Sequence, residues 1–205
     1  KATCEKKIHD LLALVELESA ADRRVGTYSG GMKRRLELAR GLMTEPEILF
    51  LDEPTLGLDP QNRAGIWNYI RDLKAERGMT LLMTTHYMDE AEQLADRVGI
   101  IDNGRIVAEG SPMQLVEQMG ADVLRIHGQG EKAAFLDRAQ ALPFVENAIW
   151  ANGSMNIGVD SGNKRLVEIV QIAGETGFAI DEVSVTKPSL GDVFLQVTGH
   201  QFRDE

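Results

Sequence analysis

Asp52 and Glu53 stand side by side at the end of the apolar run Ile48–Leu51. A short, continuously apolar run suits a strand buried on both faces of a parallel sheet. Ligands of open α/β sheets bind beyond the carboxyl ends of such strands. Two adjacent carboxylates are costly to desolvate there without partners. A Mg²⁺ held through Asp52, by way of water, would offset that cost and leave Glu53 to orient or deprotonate an attacking water. His86 ends a second such run, Thr80–Thr85, and should emerge beside Glu53 if the two strands are neighbours. A neutral imidazole at that place can hydrogen-bond a phosphate oxygen or the water. Upstream, Ser29-Gly30-Gly31 opens a helical pattern. A helix N-terminus offers free N–H groups and a positive dipole end, a natural phosphate seat. The glycines allow close backbone approach, and the Ser29 hydroxyl can donate to a phosphate oxygen. Each group also has a plainer reading: a polar turn, a capped helix, a structural histidine at a strand end. The residues taken singly leave both readings open.

The elements that must position these residues follow from periodicity. Ile8, Leu11, Leu12 and Val15 form one stripe of a helix. A second helix covers Met32–Met43, with Ser29 as its N-cap. Asp59 and Pro60 read as N-cap and first residue of a third helix, which carries Ile66, Ile70 and Leu73 and stops at Gly78. A fourth covers Tyr87–Ala95. Asn103-Gly104 joins Val98–Ile101 to Arg105–Ala108 as a hairpin, and Ser111-Pro112 opens a short helix ending near Gly120. Beyond Gly120–Asp122 the pattern changes to β-α-β-β-α-β: strands at Val123–His127, Val145–Trp150, Ser154–Val159 and Ala179–Thr186, helices at Lys132–Ala141 and Lys164–Ala173, and a turn at 152–153. This is the split βαβ, or ferredoxin-like, order. A last helix spans Ser189–Val197. The expected division is therefore 1–120 and 121–205, an α/β portion followed by a small α+β domain.

A net charge of −10 among 205 residues argues against nucleic acid as a partner, since phosphate-backbone binding needs clustered Lys and Arg. The one basic cluster, Lys33-Arg34-Arg35 with Arg40, reads as a solvated helix face. The single Cys4 leaves no internal disulfide and fits a reducing compartment. His9, His127 and His200 have no context that gives them a role. No apolar run is long enough to cross a bilayer.

In their order and spacing the four blocks resemble the nucleotide-binding subunit of ATP-binding-cassette (ABC) transporters. Ser29-Gly30-Gly31-Met32 is similar to the family signature, with Met32 where Gln is commonest. Ile48–Glu53 resembles the Walker B strand with its catalytic glutamate, Leu58-Asp59 lies in what resembles the D-loop, and His86 resembles the switch histidine. The resemblance covers about residues 1–119. It implies ATP and Mg²⁺ as cofactors and Glu53 and His86 as catalytic groups. It further implies nucleotide contacts from Ser29, Gly30, Gly31, Met32 and Asp59, and a Mg²⁺ held through Asp52. It also implies a second ATPase subunit and transmembrane permease subunits as partners, and a place on the cytoplasmic face of the membrane. Thr84–Glu92 and Lys187–Phe194 resemble the drug- and antibiotic-exporter branch, similar to daunorubicin-resistance ATPases.

No Gly-x-x-x-x-Gly-Lys-Ser/Thr run occurs in the 205 residues. In this family one subunit supplies phosphate loop, Walker B and switch histidine to each ATP, and its partner supplies the signature helix. The expectation is thus an N-terminally truncated cassette, inactive alone, whose parent hydrolyses ATP to drive export. A parallel sheet missing strands should leave Ile48–Leu51 poorly ordered or aggregation-prone. One alternative is a non-enzymatic truncated cassette serving a complete subunit as a regulatory partner. Another is a soluble cassette ATPase of translation or repair, which the absence of heptads and the βαββαβ tail disfavour.

Overall fold

A computed structural model describes residues 2–151 and 153–199. His200 and Asn152, the first residue of the expected 152–153 turn, lie outside the described residues. The chain forms two compact units, Lys1–Leu94 and Ala95–Glu205.

In the first unit, α1 (Ala2–Leu14) and α2 (Gly30–Gly41) pack together. Strand β1 (Ile48–Asp52) is followed by α3 (Pro60–Arg77), β2 (Thr80–Thr84) and α4 (Met88–Leu94). Ser29 caps α2 by accepting from the Met32 amide, and Asp59 caps α3 by accepting from that of Asn62. α3 ends on Gly78 in the left-handed region, where a residue without Cβ is unstrained. β1 and β2 are parallel, with Ile48 opposite Thr80 and Asp52 opposite Thr84. The core gathers Leu11 and Val15, Leu38 and Leu42, Leu49 and Leu51, and Ile66, Ile70 and Leu73.

β1 differs from the expected strand buried on both faces. Leu49 and Leu51 are buried, but Ile48 and Phe50 are 52% and 71% exposed, and Leu82 on β2 is 58% exposed. Strand side chains alternate between faces. One face of the pair meets the core, and no layer covers the other among the described residues. β1 is nonetheless regular and paired along its length.

In the second unit β3 (Val98–Asp102) and β4 (Arg105–Gly110) form the expected hairpin. Asn103 and Gly104 both have positive φ, as a type I′ turn requires. A capping box of Ser111 and Gln114 starts α5 (Pro112–Glu117). There follow β5 (Asp122–Gly130), α6 (Lys132–Gln140), β6 (Val145–Ala151), β7 (Ser154–Val159), α7 (Gly162–Glu175) and β8 (Phe178–Thr186). The sheet order is β6-β7-β5-β8, with every neighbour antiparallel. Leu124, Ile126, Met155 and Ile157 meet Phe135, Ala139 and Ile169 in the core under α6 and α7. Arg125, alternating with Leu124 and Ile126, points to the opposite face. There it pairs at 2.8 Å with the buried Asp192 of α8 (Leu190–Thr198).

Asp122 ties the start of β5 to two later elements. It accepts from the Gly162 amide at 2.8 Å and from Lys187 Nζ at 2.6 Å. These contacts, led by Lys187, hold its carboxyl below the ordinary 3.8. A carboxylate with a depressed folded-state pKa stabilises the fold above the unfolded value, and the contribution disappears as pH falls through the folded one. Asp122→Asn should therefore lower the melting temperature at about pH 6, and the deficit should shrink as the pH falls below 3.8 toward the carboxyl's depressed folded-state value. Thermal melts across that range check this. A deficit that does not vary with pH would show that the charge is irrelevant.

Candidate functional site

The parallel pairing of β1 with β2 brings Asp52 and Glu53 to Thr84 and His86. Thr84 Oγ1 donates a short hydrogen bond to Asp52 Oδ1 and accepts from the Glu53 amide at 3.1 Å. The Glu53 amide is also shared with the Thr84 carbonyl at 3.2 Å. Glu53 Oε2 lies 3.0 Å from His86 Nδ1. A carboxylate only accepts, so this contact places a proton on Nδ1. Glu53 and His86 keep 30% and 24% of their side-chain exposure, which leaves both reachable from solvent.

Glu53 has φ +46°, a left-handed conformation that costs an L-residue about 1–2 kcal/mol. Its surroundings hold it there. The Leu56 amide donates to its carbonyl at 3.2 Å. Arg34, from α2, donates from Nη2 to the Asp52 and Glu53 carbonyls at 2.6 and 2.8 Å and from Nε to Pro54 O at 2.7 Å. Arg34 is thus not part of a solvated basic face. Neither is Arg35, which pairs with Glu16 at 2.8 Å. Lys33 and Arg40 are exposed as expected. The physical reason is reach: a long side chain carries its head across a groove to acceptors that helical spacing does not reveal.

Ser29, Gly30, Gly31 and Met32 open α2 as the sequence predicts. Gly31 lets α2 come close to Asn62: a Cβ there would come within 2.8 Å of Asn62 Oδ1, and that side chain would have to move. Asn62 in turn hydrogen-bonds Asp59, through its amide at 3.0 Å and its side chain. Those bonds lower the Asp59 pKa, the Asn62 amide contributing most, so Asp59 is an anion at neutral pH. The α2 and α3 N-termini therefore meet at Gly31 and Asn62.

Behind the loop lie groups that sequence reasoning missed. Glu90 of α4 is fully buried, and its Oε1 accepts from Thr55 Oγ1 and from Trp67 Nε1, both at 2.9 Å. Its Oε2 has no hydrogen-bond partner among the described residues. Arg63 of α3 stacks over the Tyr87 ring at 4.0 Å, and that ring lies 4.1 Å from the imidazole of His86. The only available signal was the acidic Glu90 in a short helix beside an apolar strand. Its partners are 35 and 23 positions away, beyond any local pattern.

Asp52 is exposed, with one carboxylate oxygen bound by Thr84. No group of three or more His, Cys, Asp or Glu among the described residues makes a metal cage. This donor set fits Mg²⁺ rather than a structural metal, because Mg²⁺ keeps several waters and takes one or two carboxylates plus substrate phosphates.

Residues 3–56 match the family model described as ABC transporter. A daunorubicin resistance ATP-binding protein of Streptomyces coeruleorubidus is 40% identical over 199 residues, covering 95% of this chain and 61% of the relative. A Nod factor export ATP-binding protein I of Burkholderia pseudomallei is 43% identical over 196 residues, again covering 95% and 61%. The chain thus spans about three fifths of the length of these relatives. Among solved structures, an ATP-binding cassette of an ABC transporter in its ADP conformation is similar at 32% identity and a TM-score of 0.52. That match covers 56% of this chain and 44% of the other.

The Glu90 contacts predict a stability effect. Glu90→Leu orphans the buried Thr55 hydroxyl, at roughly 1–3 kcal/mol, and removes the acceptor of the half-buried Trp67 Nε1, whereas Glu90→Gln keeps an acceptor oxygen. Urea unfolding should show a lowered midpoint for Leu and a much smaller change for Gln. Equal losses in the two variants would refute the hydrogen-bond account.

Proposed function

We propose that this homologue of ABC transporter ATP-binding proteins is the C-terminal portion of an exporter ATPase subunit. Its signature helix and catalytic carboxylate serve ATP hydrolysis that energises transport of a small or drug-like substrate. The observation that carries the proposal is the Glu53–His86 contact at 3.0 Å, at the carboxyl end of a parallel strand pair and beside Asp52. In this reading Glu53 orients the attacking water and accepts its proton, and the imidazole of His86 keeps the carboxylate turned toward the reacting phosphate. Rate enhancement in phosphoryl transfer comes almost wholly from positioning and electrostatic stabilisation. A carboxylate pinned by its backbone and by His86 suits that task. Asp52 would hold Mg²⁺ through water, and the ion would supply neutralisation of charge on the phosphates.

Ser29, Gly30, Gly31 and Met32 would meet a nucleotide held by a second ATPase subunit. Asp59 would stand at the junction between the two subunits. Transmembrane permease subunits would carry the substrate, with this subunit on the cytoplasmic face of the membrane. The phosphate loop would come from sequence outside these 205 residues, and the chain alone would hydrolyse ATP negligibly. Residues 121–205 would form a ferredoxin-like accessory domain, with the functional boundary at 120/121. The β6-β7-β5-β8 order and the placement of α6 and α7 support that assignment. The exporter assignment is supported by what the two relatives are named for, drug resistance and Nod factor export.

The test is ATP turnover by the complete subunit. Glu53→Gln should lower kcat by about 10²–10⁴, the usual contribution of a positioned proton acceptor, while nucleotide binding is retained. The 205-residue chain should show no turnover above background. Robust Mg²⁺-dependent hydrolysis that survives Glu53→Gln would overturn the assignment.

A further inference from the structure

We propose that Arg34 is a positioning residue for Glu53, through which α2, the helix capped by Ser29, sets the orientation of the catalytic carboxylate. The inference deepens the ATPase reading above and rests on it. Arg34 engages three consecutive carbonyls, those of Asp52, Glu53 and Pro54, at 2.6 to 2.8 Å. A fourth bond, from Nη1 to Glu37 Oε2 at 2.7 Å, fixes the guanidinium plane on its own helix. Guanidinium has five N–H donors in a rigid fork. Nε and both Nη2 hydrogens are committed to one turn of backbone, a pattern a lysine ammonium cannot copy.

The turn it holds is the one that needs holding. Glu53 is left-handed at φ +46°. An extended residue there would send its side chain to the face opposite that of Asp52. In the structure Asp52 meets Thr84 and Glu53 meets His86, so the reversal at Glu53 is what turns both carboxylates toward the same strand end. Arg34 binds the carbonyl groups on both sides of that reversal. It sits five positions after Ser29 on the same helix. A displacement or rotation of α2 therefore acts directly on the backbone of Glu53. Nothing in the resemblance of Ser29-Gly30-Gly31-Met32 to a nucleotide-binding signature assigns Arg34 this part.

The experiment uses the complete subunit with Arg34→Met, which keeps a long stem and removes every donor, and Arg34→Lys, which keeps charge without the fork. Amide exchange at Glu53 and Leu56 is measured beside that of α2, together with steady-state kcat and KM for Mg-ATP. The expected result for Met is exchange at Glu53 and Leu56 faster by at least tenfold, with α2 protection unchanged. Its kcat should fall at least tenfold and KM stay within twofold, and Lys should recover only part of both effects. Exchange and kcat within twofold of wild type in the Met variant overturn the proposal. So does an equal loss of protection across α2 and the loop, which marks a general structural role. If the wild-type subunit shows no ATP turnover, the ATPase reading fails, and the exchange comparison alone decides whether Arg34 holds the Glu53 turn.

Discussion

Parallel pairing of β1 with β2 is the constraint on which the site depends. Its register sets Asp52 opposite Thr84, and this fixes which side chains the two carboxylates can reach. A slip of one residue would exchange the faces of the whole strand. Leu49 and Leu51 would leave the core, and Ile48 and Phe50 would enter it. The burial of Leu49 and Leu51 beside Ile66, Ile70 and Leu73 therefore does more than stabilise the unit. It locks the register in which Asp52 and Glu53 end beside Thr84 and His86.

From that register the loop that begins at Asp52 is held from separate directions. β2 grips it through Thr84, which bonds both the Asp52 side chain and the Glu53 amide. α2 grips its carbonyls through Arg34, and α4 grips Thr55 through the buried Glu90. Each hydrogen bond to a charged group contributes about 1.5–3 kcal/mol when well formed. Together they outweigh the cost of about 1–2 kcal/mol for one left-handed residue. The strain at Glu53 is thus sustained by contacts from outside the loop, and the carboxylate stays beside His86.

What was legible in the sequence was local. Ser29 and Asp59 as caps, Ser111-Pro112 as a helix start, Gly78 as a stop and Asn103-Gly104 as a hairpin turn all express chemistry within four residues. They appear where the pattern placed them. The β-α-β-β-α-β succession was equally readable, because its alternations are periodic. The meeting of Glu53 with His86 could be anticipated because both end apolar strands. Arg34, Glu90 and Trp67 were not legible for the opposite reason. An arginine on a polar helix face looks the same whether it ends in water or on three carbonyls. A glutamate in a charged helical turn gives no sign that it is buried.

The apolar excess of β1 shows how composition and burial come apart. Ile48–Leu51 has the composition of a strand covered twice, yet Phe50 is 71% exposed and Leu82 beside it 58%. Exposing such side chains forgoes about 1.5–3 kcal/mol each relative to burial. The register does not depend on that loss being recovered, because the inner face alone discriminates between the two faces of the strand. Covering the outer face would add stability to a geometry that Leu49, Leu51 and the Thr84 contacts already specify. The positions of Asp52 and Glu53 are therefore a property of the described unit itself.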